Sequence, residues 1–197
     1  MNRLRSCYQA QLRKTESSVN CEPMMRTLIC FLASLSLLGA NASATPLAVG
    51  APAPQVSAVD QSGKPIQFAD IYAKGITLVY FYPKAGTSGC TAEACSLRDS
   101  YDKLKAQGLQ IIGVSRDTPD AQKHFQDQYK LPFTLIADTD GKVADAFGVP
   151  AMLHGLLPLD SRQSFIVKNG KIAWNSLKAE TKGSADEVQK ALDGLGK

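Results

Sequence analysis

The chain has 197 residues, 44% of them apolar and 20% charged. That suits one domain with a sizeable core and excludes a low-complexity or collagen-like chain. The net charge of +4 gathers at the start: five of the 22 Lys/Arg and two of the 18 Asp/Glu precede residue 45, so the rest is balanced to within one charge and gives no reason to expect nucleic acid.

The cysteines divide at the same place, with Cys7, Cys21 and Cys30 before it and only Cys90 and Cys95 after. Residues 1–23 are polar and Arg-rich and read as an extension upstream of a natural start at Met24 or Met25. Residues 24–44 read as a secretory signal peptide: Arg26 is the basic part, Leu28 to Leu38 the apolar part, and Ala42-Ser43-Ala44 a small-residue cleavage site. A membrane anchor would need about 20 apolar residues, and this run is shorter and broken by Ser34, Ser36 and Gly39. Export to a periplasm, with no stable membrane association, is therefore expected. An organelle-targeting prefix is the alternative, since residues 1–23 are also poor in acids.

Residues 45–197 then form one domain. A Pro/Ala-rich lead-in runs to Pro54, and Val56 to Asp60 and Ile66 to Phe68 read as a hairpin around a Gly-containing turn. Ile76 to Tyr82 is a continuous β-branched and aromatic run, the pattern of a strand buried on both faces, ended by Pro83. Ala94, Leu97, Tyr101 and Leu104 predict an amphipathic helix over Thr91 to Gln107, capped by Gly108. A strand at Leu109 to Val114, a helix from the Asp117-Thr-Pro119 start signal to about Lys130, and a strand at Phe133 to Ala137 follow. A short helix near Val143 to Phe147 leads into an apolar loop, Val149 to Asp160. Gln163 to Val167 and Ile172 to Trp174 make a hairpin with Asn-Gly at its tip, and Ala185 to Leu195 is the last helix. The order predicts an α/β domain with a mixed sheet covered by helices.

Cys90 falls between the buried strand and the first turn of the next helix. Free backbone N–H groups and the helix dipole favour an anion there, so a cysteine is more readily the reactive thiolate. Thr87 can point a hydroxyl at the same volume, and Pro83 can press on it without donating a hydrogen bond. Cys95 lies five residues on, and an ideal helix would hold the two Cα atoms about 8–9 Å apart. A disulfide tolerates less than about 7 Å, so pairing requires the helix to unwind. Other readings stay open: a structural disulfide, inert core cysteines, a dithiol exchanger without its usual CxxC, or a zinc site using His124 and His154, whose spacing matches no zinc pattern.

The segment YFYPKAGTSGCTAEACSLRD resembles the active site of the peroxiredoxins, and within them the bacterioferritin-comigratory or Q type. Pro83, Thr87 and Cys90 match the Pro-x-x-x-Thr/Ser-x-x-Cys motif, and Cys95 matches the Q-type resolving cysteine. GVSRD, FTLIAD and RQSFIVKNGKI resemble further family segments in the same order, from about Leu47 to the C-terminus. Ser88 departs from the family's usual proline. The resemblance implies a thioredoxin-like fold with an N-terminal β-hairpin extension, and an Arg162 that meets Cys90 in space. It implies a hydroperoxide reductase without metal or cofactor, in which Cys90 becomes a sulfenic acid and Cys95 resolves it as a disulfide. A thioredoxin-like dithiol would be the reductant, and a monomer is expected. The rivals are a binding domain with an inert disulfide and a protein thiol–disulfide oxidoreductase.

Overall fold

The computed structural model describes residues 45–154 and 157–196. The expected extension and signal peptide lie outside the described residues. In chain order, β1 (Ser57–Val59) and β2 (Pro65–Gln67) form an antiparallel hairpin. Its turn is tied by Asp60, whose Oδ1 accepts from Ser62 N at 2.7 Å and Lys64 N at 2.9 Å. Then come α1 (Phe68–Tyr72), β3 (Ile76–Phe81), α2 (Ser88–Asp99), α3 (Tyr101–Ala106) and β4 (Leu109–Ser115). They are followed by α4 (Pro119–Tyr129), β5 (Thr134–Ala137), α5 (Lys142–Phe147), β6 (Ala151–His154) and β7 (Leu157–Asp160). β8 (Gln163–Lys168), β9 (Lys171–Ser176) and α6 (Ser184–Leu195) close the chain.

The main sheet has five strands in the order β5-β4-β3-β8-β9. β3 runs parallel to β4, and β4 to β5, whereas β8 is antiparallel to β3 and to β9. Because side chains alternate along a strand, β3 feeds two cores. Leu78 and Tyr80, with Tyr82 just beyond the strand, pack with Cys90, Leu97, Leu104, Phe125, Val188 and Leu192 from the helices on one face. Val79 and Phe81 pack with Phe68, Val143, Phe147 and Phe165 on the other. Burial on both faces is why the strand reads as a continuous β-branched and aromatic run with no charged position.

The lead-in protects the edge of β9. Gly50 N donates to Ile172 O at 2.8 Å, Ile172 N to Ala51 O at 2.9 Å, and Ala53 N to Gly170 O at 2.9 Å, which occupies backbone groups an edge would otherwise expose. Asn169 and Gly170 have φ of 53° and 70°, the left-handed pair that a tight hairpin turn requires.

Three elements differ from the sequence reading. The helix expected over Thr91–Gln107 is two helices, for Ser100 leaves helical geometry at φ −102° and ψ 5°. Serine is a poor helix former because its side chain competes for local backbone bonds. The five-residue α1 was not expected at all. The apolar loop Val149 to Asp160 is the antiparallel hairpin β6–β7. Its base is tied by Ser161 N to Pro150 O at 3.0 Å, and by the buried Asp160, which accepts from Arg116 Nε at 2.7 Å.

Candidate active site

The site lies where the parallel strands β3 and β4 end at their carboxyl side, the usual place for ligands in such sheets. Tyr82 N donates to Val114 O at 3.1 Å; Pro83 has no N–H and ends the ladder. The loop that follows is clamped from β4. Ala85 N donates to Asp117 Oδ2 at 2.8 Å, and the Ser115 hydroxyl donates to the same oxygen at 2.7 Å. Gln122 Nε2 reaches Ser115 Oγ at 2.8 Å and the Ile136 carbonyl at 2.9 Å. The buried Tyr82 hydroxyl donates to Gln122 Oε1. Thr87 is the extended N-cap residue of α2, and its carbonyl accepts from Thr91 N at 2.8 Å. Its exposed hydroxyl donates to the Lys84 carbonyl at 3.1 Å. With that proton committed, the hydroxyl faces solvent as an acceptor.

Cys90 is the third residue of α2, inside its first turn rather than ahead of it, and is 1% exposed. Its Sγ accepts from Arg162 Nη2 at 3.3 Å. Arg162 stands just ahead of β8, and its carbonyl accepts from Ala179 N at 3.4 Å. Its other terminal nitrogen, Nη1, donates to Oε2 of the fully buried Glu93. One guanidinium therefore bridges the sulfur and the carboxyl. Burial outweighs Arg162 and pushes the Glu93 carboxyl up to about 8, while Glu93 Oε1 has no hydrogen-bond partner. Burial pulls Arg162 down, but Glu93 and Cys90 more than offset it and leave the guanidinium above its ordinary value. Burial, with Tyr82 and Glu93 adding, holds the Tyr80 phenol well above its ordinary value. Tyr80 lies across Gly113 of β4, where a Cβ would meet its hydroxyl oxygen at 2.7 Å, so only glycine lets the ring lie there.

Cys95 is half-buried on the same helix, and both thiols are free. Since α2 is regular from Ser88 to Asp99, ideal geometry separates the two Cα atoms by about 8–9 Å. The structure thus brings Cys90 and Arg162 into contact, sets Pro83 and Thr87 on the loop feeding α2, and leaves Cys95 more than one turn away. His124 lies on α4 and His154 on β6. Among the described residues no group of three His, Cys, Asp or Glu could hold a metal ion. Among the same residues, no helix is long and apolar enough to cross a membrane.

Residues 49–175 match the model of the AhpC/TSA family. The chain belongs to that family, in its peroxiredoxin Q branch. The chloroplastic peroxiredoxin Q of Sedum lineare is 38% identical over 149 residues, which cover 74% of this chain and 78% of that one. The chloroplastic peroxiredoxin Q of Gentiana triflora is 43% identical over 124 residues, 62% of this chain but 56% of that longer one. Among solved structures, peroxidoxin BcpB of Mycobacterium tuberculosis superposes with a TM-score of 0.70 at 28% identity, covering 75% of this chain and 97% of that one. The thioredoxin-like architecture of these peroxiredoxins is the fold described above.

Sequence reading missed Glu93 in this peroxiredoxin. A glutamate on a helix usually reads as a solvated charge. A signal was nevertheless there: Glu93 lies three residues after Cys90 and four before Leu97, on the stripe that faces the core. Gly113 and the Tyr82–Gln122–Ser115–Asp117 network were missed as well, since nothing in the sequence relates residues that meet only across neighbouring elements.

Proposed function

We propose that this peroxiredoxin is a thiol-dependent peroxidase that reduces hydrogen peroxide and organic hydroperoxides, with Cys90 as the attacking residue. The observation that carries this reading is the buried Cys90 Sγ receiving a hydrogen bond from Arg162 Nη2 at 3.3 Å. A guanidinium favours the anionic sulfur and can also donate to a peroxide oxygen. The Cys90 thiolate attacks one peroxide oxygen: an S–O bond forms, the O–O bond breaks, and the leaving oxygen takes a proton and departs as water or an alcohol. Arg162 stabilises the charge that develops on the leaving oxygen. Thr87 accepts from the peroxide O–H, and Pro83 packs at the mouth without a competing donor. The resulting sulfenic acid condenses with Cys95, forming the disulfide and releasing water. A thioredoxin-like dithiol then reduces the disulfide by exchange.

Export forms part of the proposal, resting on the Arg26, apolar and Ala-Ser-Ala order of residues 24–44. N-terminal sequencing of the native product should give a start near Thr45, and an intact Met24 overturns cleavage. The peroxidase reading itself is tested by measuring peroxide consumed per dithiol oxidised. A one-to-one ratio in the wild type, lost in Cys90→Ser, is expected because a hydroxyl cannot replace the thiolate. Dithiol-dependent disulfide exchange without peroxide consumption would return the chain to the oxidoreductase reading.

A further inference from the structure

Helix α6 begins without a cap of its own. Its N-cap residue is Gly183, which has no side chain to satisfy the first free N–H groups. The acceptor comes from another helix: the Ser96 hydroxyl oxygen of α2 takes the bond from Ala185 N at 3.2 Å. Ser96 directly follows Cys95. Two residues further, Arg98 Nη1 donates to the Tyr129 carbonyl at 2.8 Å and fixes the end of α2 to the end of α4. Ser96 is thus the tether nearest the cysteine that has to move.

We propose that Ser96 is a positioning residue that couples closure of the Cys90–Cys95 disulfide to the start of α6. The proposal rests on the peroxidase reading above. While Cys90 is a thiol or a sulfenic acid, the Ser96–Ala185 bond keeps α2 wound and the two sulfurs apart. Closure forms the S–S bond and breaks the Cys90 S–O bond; the hydroxyl leaves as water with the Cys95 proton. A disulfide needs Cα atoms closer than about 7 Å, against about 8–9 Å on the intact helix. The backbone around Cys95 must therefore leave its helical path and draw Ser96 away from Ala185. The bond opposes closure, and closure strips α6 of its cap. The effect reaches back to the site, because Glu180 N donates to Glu187 Oε2 of α6 at 3.2 Å and Ala179 N holds the Arg162 carbonyl.

The test uses the full chain as wild type, Ser96→Ala and Ser96→Thr, with hydrogen peroxide. Rapid mixing separates formation of the sulfenic acid from its conversion to disulfide, and amide exchange reports on residues 184–188. Trp174, the chain's one tryptophan, lines the same groove as Gly183, Glu187 and Ala191 and supplies a fluorescence signal. Ser96→Ala should leave the peroxide step unchanged and speed closure about fivefold, the net weight of one neutral hydrogen bond. Ser96→Thr keeps the hydroxyl and should close at the wild-type rate. Wild-type residues 184–188 should lose protection on oxidation, and in Ser96→Ala should already exchange fast when reduced. An unchanged or slower closure in Ser96→Ala overturns the coupling, as does equal protection of α6 in both redox forms of the wild type. In those cases peroxide is still consumed and the peroxidase reading stands. A wild type that consumes peroxide but forms no Cys90–Cys95 disulfide overturns the coupling alone, and one that consumes no peroxide overturns both.

Discussion

Arg162 serves two acidic groups at once, and which of them is charged decides how much of its donor strength reaches the sulfur. Glu93 is buried, and its carboxyl titrates near 8. Below that pH it is mostly neutral, so the guanidinium charge is left to Cys90. Above it, the carboxylate competes for Arg162 and repels an anionic sulfur. The rate of sulfenic acid formation should therefore level off or fall as pH rises through about 8, and Glu93→Gln, neutral at every pH, should remove that fall. Stopped-flow rates across that range decide it; an identical pH profile in the variant frees Arg162 from Glu93. Arg162→Met keeps a long side chain but loses the charge and the donors. It should slow the peroxide step by about two orders of magnitude, the usual cost of removing one donor to developing charge. Its urea midpoint should shift far less, and a rate within a few-fold of wild type would remove Arg162 from the peroxide step.

At the level of elements, α2 carries both cysteines and must change shape if they are to pair. The helical hydrogen bonds of residues 91–97 are incompatible with a Cys90–Cys95 disulfide by the same Cα separation. Amide exchange should show those residues protected in the reduced form and deprotected in the oxidised one. Equal protection in a verified disulfide would sink the unwinding step. Cys95→Ser should reduce about one equivalent of peroxide and then stall, because its sulfenic acid has no internal partner. What the sequence made legible here follows from periodicity. β3 was visible because burial on both faces leaves only β-branched, aliphatic and aromatic residues and no charged position, and the β8–β9 hairpin because Asn169-Gly170 has few other uses. The break at Ser100 was not visible, for Leu97 and Leu104 stay seven residues apart on one apolar stripe whether or not the helix bends between them. α1 is shorter than the window in which a helical period can be recognised. Cys90, Cys95, Pro83 and Thr87 stood out because motif spacing is local, whereas Glu93 and Ser96 take their meaning from Arg162 and Ala185, tens of residues away.

Across the whole molecule, the buried carboxyls bend the pH dependence of stability in an unusual direction. Acid denaturation usually reflects carboxyls held below their unfolded values. In this fold Glu93, Asp138 and Asp160 are all raised, in each case chiefly by burial, although Arg162, the Val143 and Ala144 amides, and Arg116 respectively oppose it. A folded pKa above the unfolded one means that the folded chain binds more protons between the two values. The associated stability is therefore complete below the ordinary carboxyl range and declines as pH climbs towards the folded value. For Glu93 that window runs from its ordinary 4.5 up to about 8. Asp140 is shifted the other way by Lys142, but that pair is exposed and screened and contributes little. The reduced protein should accordingly show a higher urea midpoint near pH 5 than near pH 9, with the m-value unchanged. Glu93→Gln should flatten the decline between its ordinary 4.5 and about 8 while leaving the part due to Asp138 and Asp160. A midpoint that rises steadily with pH in the wild type, or a slope unchanged in the variant, would show that Arg162 and not burial governs Glu93, and would remove the basis for the alkaline fall in rate argued for the site.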